Sequence, residues 1–553
     1  MTTVTNNLAS RFKGSLIAFM QSDMVLNVNL TTDGWTSTNN KSYTCITASL
    51  LISLPSEELT VEDYLLEMYQ SRSHTGINLA SELCDYYNKY GAWNKTSFIC
   101  TDNARNMATM ASDILKIKSD SKIEHARCIS HVLNLITKEF YSTLIPDNKF
   151  DEDSEGNANI PKTNISYILD NNSEVSKAIQ KIKKLERELS QSPQSAATFS
   201  LMCKAKGYSR TKLRKFCKTR WNSFSFLLSS AIDIKEVIQE YTSITNEDFE
   251  KIESIVKFLS GIEHLTNIFS AETPGAWLIL GCFKELRYQI CCFIEKNPEY
   301  YGSNMRRALN ASLKKLDYYM ELLFASKEDQ PPKPFVLAAF FHPYYRITLS
   351  DEELQAVTKY LSRFLDQKTK PEESNHGKIE RRSWMARPSG RVKIQNTELE
   401  LYLNQQDSIA KFAGREVPVT VDGDEDIDVS SDAAATEIQG NYKNFNTVYS
   451  DFIEEGGDLN RLEVIKAWRK RSIAYPILSE FAVKYLSMPT SSTASERTFS
   501  TSRRILTADR NSLSDESFAN LLVLKGASKN IQINKEVPEL DDTEENKCKI
   551  FID

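Results

Sequence analysis

The sequence predicts an α/β fold plus an all-α region: a mixed strand-and-helix core early in the chain, then a long helical stretch. Three observations predict it. Within the first 145 residues, short alternating or β-rich runs are interleaved with helix-spaced apolar segments. From about 165 to 365, apolar residues recur at i, i+3 or i+4 and i+7 with almost no alternation. The chain has 553 residues, too many for one core, so two to four domains are expected.

The elements follow in order. Residues 1–23 read as a short helical segment. In "MVLNVNL" (24–30), Leu26, Val28 and Leu30 share one face and Asn27 and Asn29 the other, the pattern of a half-buried strand running into Asp33. "SYTCITASLLIS" (42–53) reads as a second strand, with the polar "GWTSTNNK" as the hairpin turn between them. Residues 60–90 have helical spacing. "KTSFICTD" (95–102) is a short strand ending at Asp102, and "NARNMATMASDIL" after it is helical. "HARCISHVLNLITKEF" (125–140) reads as strand, then buried helix.

The polar "DNKFDEDSEGNANIPKTN" (147–164) then closes the core. "EVSKAIQKIKKLERELS" and "FEKIESIVKFLSGIEHLTNIF" typify the helical stretch. Residues 366–395 and 413–432 read as long loops. Helical patterning returns at "YKNFNTVYSDFIEEG" and runs to about 525. The final twenty residues hold seven acids and read as a loose tail. The expected organisation is therefore 1–23, 24–145, 146–440, 441–530 and 531–553.

No run of apolar residues approaches the 18 or more that a membrane-spanning helix needs, so no membrane partner is expected. The N-terminus lacks the basic and cleavage regions of a signal peptide, which points to an intracellular protein. The ten cysteines include no C-x-x-C pair, which argues against a disulfide framework or a Cys-rich zinc site. Net charge is −6, weak evidence against a nucleic-acid partner, but the charge is segregated. Residues 177–220 hold thirteen Lys or Arg and two Glu, with Lys212, Arg214, Lys215 and Lys218 leading to Arg220. Such a stretch serves either as a solvated helix face or as a phosphate-binding surface.

Asp33 and Asp102 each follow a predicted strand, where loops expose functional groups. Two facing carboxylates repel, and a divalent cation between them removes the repulsion. A third carboxylate from anywhere in the chain completes a two-metal site. Each candidate also has an ordinary reading. Asp33-Gly34 is a turn signal. Asp102 is a possible helix N-cap. Glu496 in "TASE" fits a capping box with Thr493.

Taken together, several segments resemble the hAT superfamily of DNA transposases and proteins derived from them. The C-terminal block "IKAWRKRSIAYPILSEFAVKYLSMPTSSTASERTFSTSRRILTADRNSLSDESFANLLVLKG" (465–526) is similar to the family's dimerisation region. "LTTDGWTS" (30–37) and "FICTDNARNM" (98–107) resemble its two aspartate motifs. "RCISHVLNL" (127–135) resembles its C-x-x-H segment, and "KTRWNSF" (218–224) its R-W motif. "VLAAFFHPYYR" (336–346) and "TELELYL" (397–403) are weaker matches.

The resemblance implies a ribonuclease-H-like catalytic core interrupted by a large helical insertion. It implies that Asp33, Asp102 and Glu496 form a catalytic triad holding Mg²⁺ or Mn²⁺, and that the chain cleaves and transfers DNA strands in the nucleus as a homodimer or larger oligomer. Trp221, beside Arg220, is then the tryptophan that stacks on a flipped base. His131 is an active-site neighbour, Cys128 packs, and Arg497 counters Glu496 or contacts phosphate. No small-molecule cofactor is implied. One departure stands out. No C-x-x-C and H-x-x-x-H set occurs, so the BED-type zinc finger of family members, and any structural zinc, are not expected in this chain. That favours a second expectation, a non-catalytic DNA-binding or protein-interaction dimer derived from a transposase.

Overall fold

The computed structural model describes residues 2–37, 41–73, 75–119, 122–145, 174–216, 222–271, 275–296, 302–326, 330–343, 345–369, 461–505 and 514–527. The helix expected at 442–456, the loop at 413–432 and the acidic tail lie outside them, as does most of the 366–395 loop. Within these residues the protein combines a small mixed sheet with many helices, as the sequence predicts at the level of class.

The elements run α1 (Thr2–Gln21), β1 (Val25–Thr36), β2 (Ser42–Ser53), β3 (Leu59–Gln70), α2 (Gly76–Asn88), β4 (Thr96–Thr101), α3 (Arg105–Ile117), β5 (Glu124–Arg127) and α4 (Ile129–Leu144). Helices follow: α5 (Glu174–Gln191), α6 (Pro193–Ala205), α7 (Asn222–Ile232), α8 (Lys235–Tyr241), α9 (Asn246–Ser270), α10 (Leu278–Lys296), α11 (Gly302–Phe324), α12 (Pro334–Phe341) and α13 (Asp351–Thr369). The last four are α14 (Arg461–Lys470), α15 (Pro476–Leu486), α16 (Thr493–Ile505) and α17 (Asp515–Ala527).

Two compact units emerge. The first comprises Met1–Gly275, Cys282–Leu322 and Met488–Asp553; the second comprises Ala276–Gly281 and Leu323–Ser487. The first contains the five-stranded sheet, ordered β3-β2-β1-β4-β5. β1–β2 and β2–β3 pair antiparallel, while β1–β4 and β4–β5 pair parallel. Two hairpins therefore build one side of the sheet, and helical crossovers build the other.

Three expectations need correction. β1 is not half-buried: Asn27 and Asn29 are as enclosed as Val28 and Leu30. It is the central strand, covered on both faces, and its polar face finds partners; Asn27 accepts a hydrogen bond from the Ser97 hydroxyl. The strand also runs on through Asp33-Gly34 to Thr36, so the turn is shorter than expected and closes where the Ser37 amide meets the Lys41 carbonyl. Residues 60–90 are not one helix: Leu59–Gln70 is strand β3 and only Gly76–Asn88 is helical. Residues Tyr64 to Tyr69 are buried on both faces, so β3 lacks the alternation that marks a strand.

One hydrophobic core joins both ends of the chain. It takes Phe12 and Leu16 from α1, Leu30 from β1, Leu66 from β3, Met110 from α3, Phe499 from α16, and Phe518 and Leu522 from α17. Burying each such side chain contributes roughly 1.5–3 kcal/mol. α17 is fastened further by Asp515, which accepts hydrogen bonds from Tyr43 (2.8 Å) and Lys41 (3.0 Å).

In the second unit, Leu478, Ala482, Tyr485 and Leu486 of α15 are buried. Phe341 of α12 stacks on Tyr485, and Phe364 of α13 meets Phe481 edge-on. The apolar stripe of α15 thus packs inside its own unit.

Candidate active site

β1 and β4 place the two aspartates. Their parallel register pairs Thr31 with Cys100. Two residues further along each strand direction come Asp33 and Asp102, which alternation returns to the face that carries Thr31. Asp33 Oδ1 accepts the Gly34 amide at 2.8 Å, and Asp102 Oδ1 accepts the Ala104 amide at 3.0 Å. Asp102 thereby shapes the turn into α3, whose N-cap position is Ala104.

Glu496 arrives from α16. The helix begins at Thr493, because the Ser492 carbonyl accepts the amides of Ser495 and Glu496. Thr493 lies inside the helix, with its hydroxyl on Ser491 at 2.7 Å, so the Thr493–Glu496 capping box does not form. Ser495 is fully buried and sets the helix on the sheet: its Oγ lies 3.1 Å from Thr31 Oγ1 and 3.5 Å from Thr47 Oγ1. Thr31 and Thr47 also bond to each other. The next residue, Glu496, keeps an open surface at the same end of the sheet.

The three carboxylates sense one another. Burial first, then repulsion from Asp102 and Glu496, hold Asp33 well above the usual carboxylate range, against the pull of the Gly34 amide. Glu496 is raised chiefly by partial desolvation and also by Asp102, while His131 and Arg497 pull it the other way. Its side chain is open to water on one side but crowded by protein on the other, so this shift carries no large stability contribution.

His131 occupies the first turn of α4, within electrostatic reach of Glu496. The turn is held by the Cys128 amide on Thr101 O (2.8 Å) and the Ile129 amide on Thr490 O (2.9 Å). Cys128 itself is buried and accepts the Ser492 amide at 3.4 Å, a packing role. Arg497 donates to the Ser270 carbonyl at 3.1 Å and lies 3.7 Å from Asp63. The end of α9 therefore meets this site too, since Thr490 Oγ1 donates to Phe269 O at 3.1 Å.

The donor set suits a hard divalent cation: carboxylate oxygens whose mutual repulsion a cation removes. Their spacing is more open than a closed site requires. Among the described residues, no three His, Cys, Asp or Glu side chains converge closely enough to hold a metal ion.

The basic residues are divided. Lys212, Arg214 and Lys215 are exposed on the segment after α6, and none has an ion-pair partner among the described residues. Lys212 lines an open cleft of about 630 Å³ with Tyr208, Ser209, Arg210, Thr211 and Asp233. No hydrogen bond or ion pair joins these three to the carboxylates among the described residues. Lys218, Arg220 and Trp221 lie outside the described residues.

Sequence reasoning missed Ser495, Thr31, Thr47 and Arg127. All but Thr47 sit inside quoted motifs, beside a residue that drew attention first. Only the fold shows that Thr47 faces Thr31.

Residues 446–528 match the hAT family C-terminal dimerisation region, and residues 126–258 match the ZBED1 RNase-like helical domain. A Zea mays protein named "Putative AC transposase" is 22% identical over 91% of this chain and 57% of its own length. A Talaromyces stipitatus protein named "Putative transcriptional regulator tpeD" is 19% identical over 91% of this chain and 54% of its own length. The chain thus spans a little over half the length of the curated relatives it matches. The dimerisation region supports self-association, and together with the RNase-like helical domain it makes the chain similar to hAT transposase-like proteins over these two segments.

Proposed function

We propose that the chain is a DNA-processing enzyme of transposase type, with a ribonuclease-H-like core, that cleaves and transfers DNA strands in the nucleus as a self-associated dimer. One observation carries this reading. Asp33, Asp102 and Glu496, from three distant segments, share one end of the sheet, where Asp102 and Glu496 raise the proton affinity of Asp33 and Asp102 raises that of Glu496. Clustered carboxylates of this kind mark functional sites because they cost stability without a ligand. The strand order, two antiparallel pairings followed by two parallel ones, supports the core assignment.

Drawn closer than they stand here, Asp33, Asp102 and Glu496 would hold Mg²⁺ or Mn²⁺, which when bound supplies charge neutralisation at a phosphodiester and activation of the attacking oxygen. The chain's own groups do the rest. His131, on the first turn of α4, lies within electrostatic reach of Glu496 and would exchange a proton with a leaving or attacking oxygen. Arg497 screens Glu496 and is anchored by Ser270 and Asp63, so it steadies the acid rather than reaching outward. Lys212, Arg214 and Lys215 offer unpaired charge to the backbone of bound DNA, and Arg220 with Trp221 would stack on an extruded base.

The test is metal-dependent nicking of labelled duplex DNA carrying transposon inverted repeats. Cleavage by the wild type that disappears in Glu496→Gln supports the proposal. Folded protein that binds DNA yet never nicks it removes the catalytic claim. A second reading, a non-catalytic DNA-binding regulator, is favoured by the open spacing of the carboxylates and by a relative named as a transcriptional regulator.

A further inference from the structure

Arg127 ends β5, in register with Thr101 on β4, so it stands beside the strand end that carries Asp102. Its guanidinium is half-buried. Five N–H donors need acceptors there, yet among the described residues its side chain makes a single long hydrogen bond, 3.4 Å to Asn103 Oδ1. Asn103 is itself buried and fixed by the Cys128 carbonyl at 3.0 Å, so the acceptor does not swing to improve that bond. No carboxylate among the described residues forms an ion pair with Arg127; Asp102 and the tyrosines Tyr318 and Tyr319 of α11 attract it only at longer range. Burial outweighs these attractions and weakens its hold on the proton.

A partly buried cation without an ion pair is costly, and such groups are held where a ligand compensates them. The ligand must be anionic, must present several acceptors to a planar fork, and must approach the strand ends where the carboxylates lie. A phosphodiester meets all three requirements. We propose that Arg127 is a phosphate-contacting residue that receives a backbone phosphate of the DNA strand lying across the Asp33, Asp102 and Glu496 site. This assignment rests on the DNA-processing reading above, and it adds a contact at the reacting end of the strand, away from the exposed Lys212 to Lys215 segment.

The experiment uses the full chain with a duplex oligonucleotide in EDTA, so that no cleavage intervenes. Fluorescence anisotropy gives Kd between about 50 and 200 mM salt. Arg127→Met is expected to bind more weakly, with a plot of log Kd against log salt shallower by about 0.9, the loss of one phosphate contact. Arg127→Lys is expected to keep the wild-type slope. The melting temperature of Arg127→Met should equal or exceed that of the wild type, because the fold itself does not compensate this charge. An unchanged slope in Arg127→Met overturns the assignment. So does a Met variant that fails to fold, since it shows that the charge serves the structure. Wild-type protein without salt-dependent DNA binding overturns the proposed function and this assignment together, whereas intact wild-type binding with an unchanged variant slope overturns only the latter.

Discussion

The hydroxyls of Thr31 and Ser495 lie 3.1 Å apart although 464 residues separate them in the chain. This contact sets α16, and with it Glu496, against the strand that carries Asp33. Thr47 from β2 completes a buried group of three hydroxyls in which every member has a partner. A satisfied polar network of this kind defines one docking position for the helix, where an apolar joint would tolerate sliding.

Removing Ser495 should therefore loosen the joint without undoing it. Thr31 and Thr47 remain bonded to each other, so Ser495→Ala is expected to lose about 1 kcal/mol. Ser495→Val adds bulk at a fully buried position and should lose about 1–3 kcal/mol. Urea denaturation of both variants checks this. A Val variant as stable as the wild type would show that the joint is slack.

Asp33 sets a pH dependence of definite sign. Its carboxyl is raised well above 3.8 in the fold, so the unfolded chain releases this proton more readily. Metal-free stability must fall as pH rises from 3.8 through the raised folded value. Asp33→Asn should remove that decline and melt higher than the wild type at neutral pH. Mn²⁺ should raise the melting temperature of the wild type and leave the Asn variant nearly unmoved. Thermal melts across pH, with and without Mn²⁺, decide it; equal melting curves for the two proteins would count against coupling of the acids.

His125 acts in the opposite direction. Burial, then repulsion from Arg127, lower it from 6.5 to about 3, and its Nε2 lies 2.9 Å from Thr101 Oγ1. The unfolded chain takes up this proton first, so stability present above 6.5 is lost as pH falls toward 3. One such group contributes a slope of up to about 1.4 kcal/mol per pH unit. His125→Gln should flatten the acid limb of the stability profile relative to the wild type, and an unchanged limb would contradict the assignment.

The stripe on α15 serves the interior of its own unit. Tyr485 is buried and stacked on Phe341. Tyr485→Leu should cost about 1–3 kcal/mol through misfit and lost stacking, with self-association of the folded protein unchanged by sedimentation. Loss of association at an intact melting temperature would place the stripe at the subunit contact instead.

Much of this organisation was legible in the sequence. β4, β5 and α4 follow their patterns closely, because each is a short run with clear boundaries. β3 was not legible, since Tyr64 to Tyr69 are buried on both faces of the strand, without alternation. The polar face of β1 misled for the related reason that Asn27, Asn29 and Thr31 are all buried, with Asn27 and Thr31 hydrogen-bonded to Ser97 and Thr47. For the site, motif resemblance singled out Asp33, Asp102 and Glu496, and the fold sets them at one sheet end. It did not single out Ser495 or Arg127, whose significance lies in what surrounds them, and local spacing carries no record of that.

The contribution of α16 and α17 to the core also orders events in time. β3 leaves the ribosome long before Phe518 and Leu522, which share its core. At ~5–20 residues per second, the sheet waits on the order of a minute for its cover. A nascent chain therefore carries an unfinished, apolar sheet surface until those helices emerge, and Glu496 joins the aspartates only then.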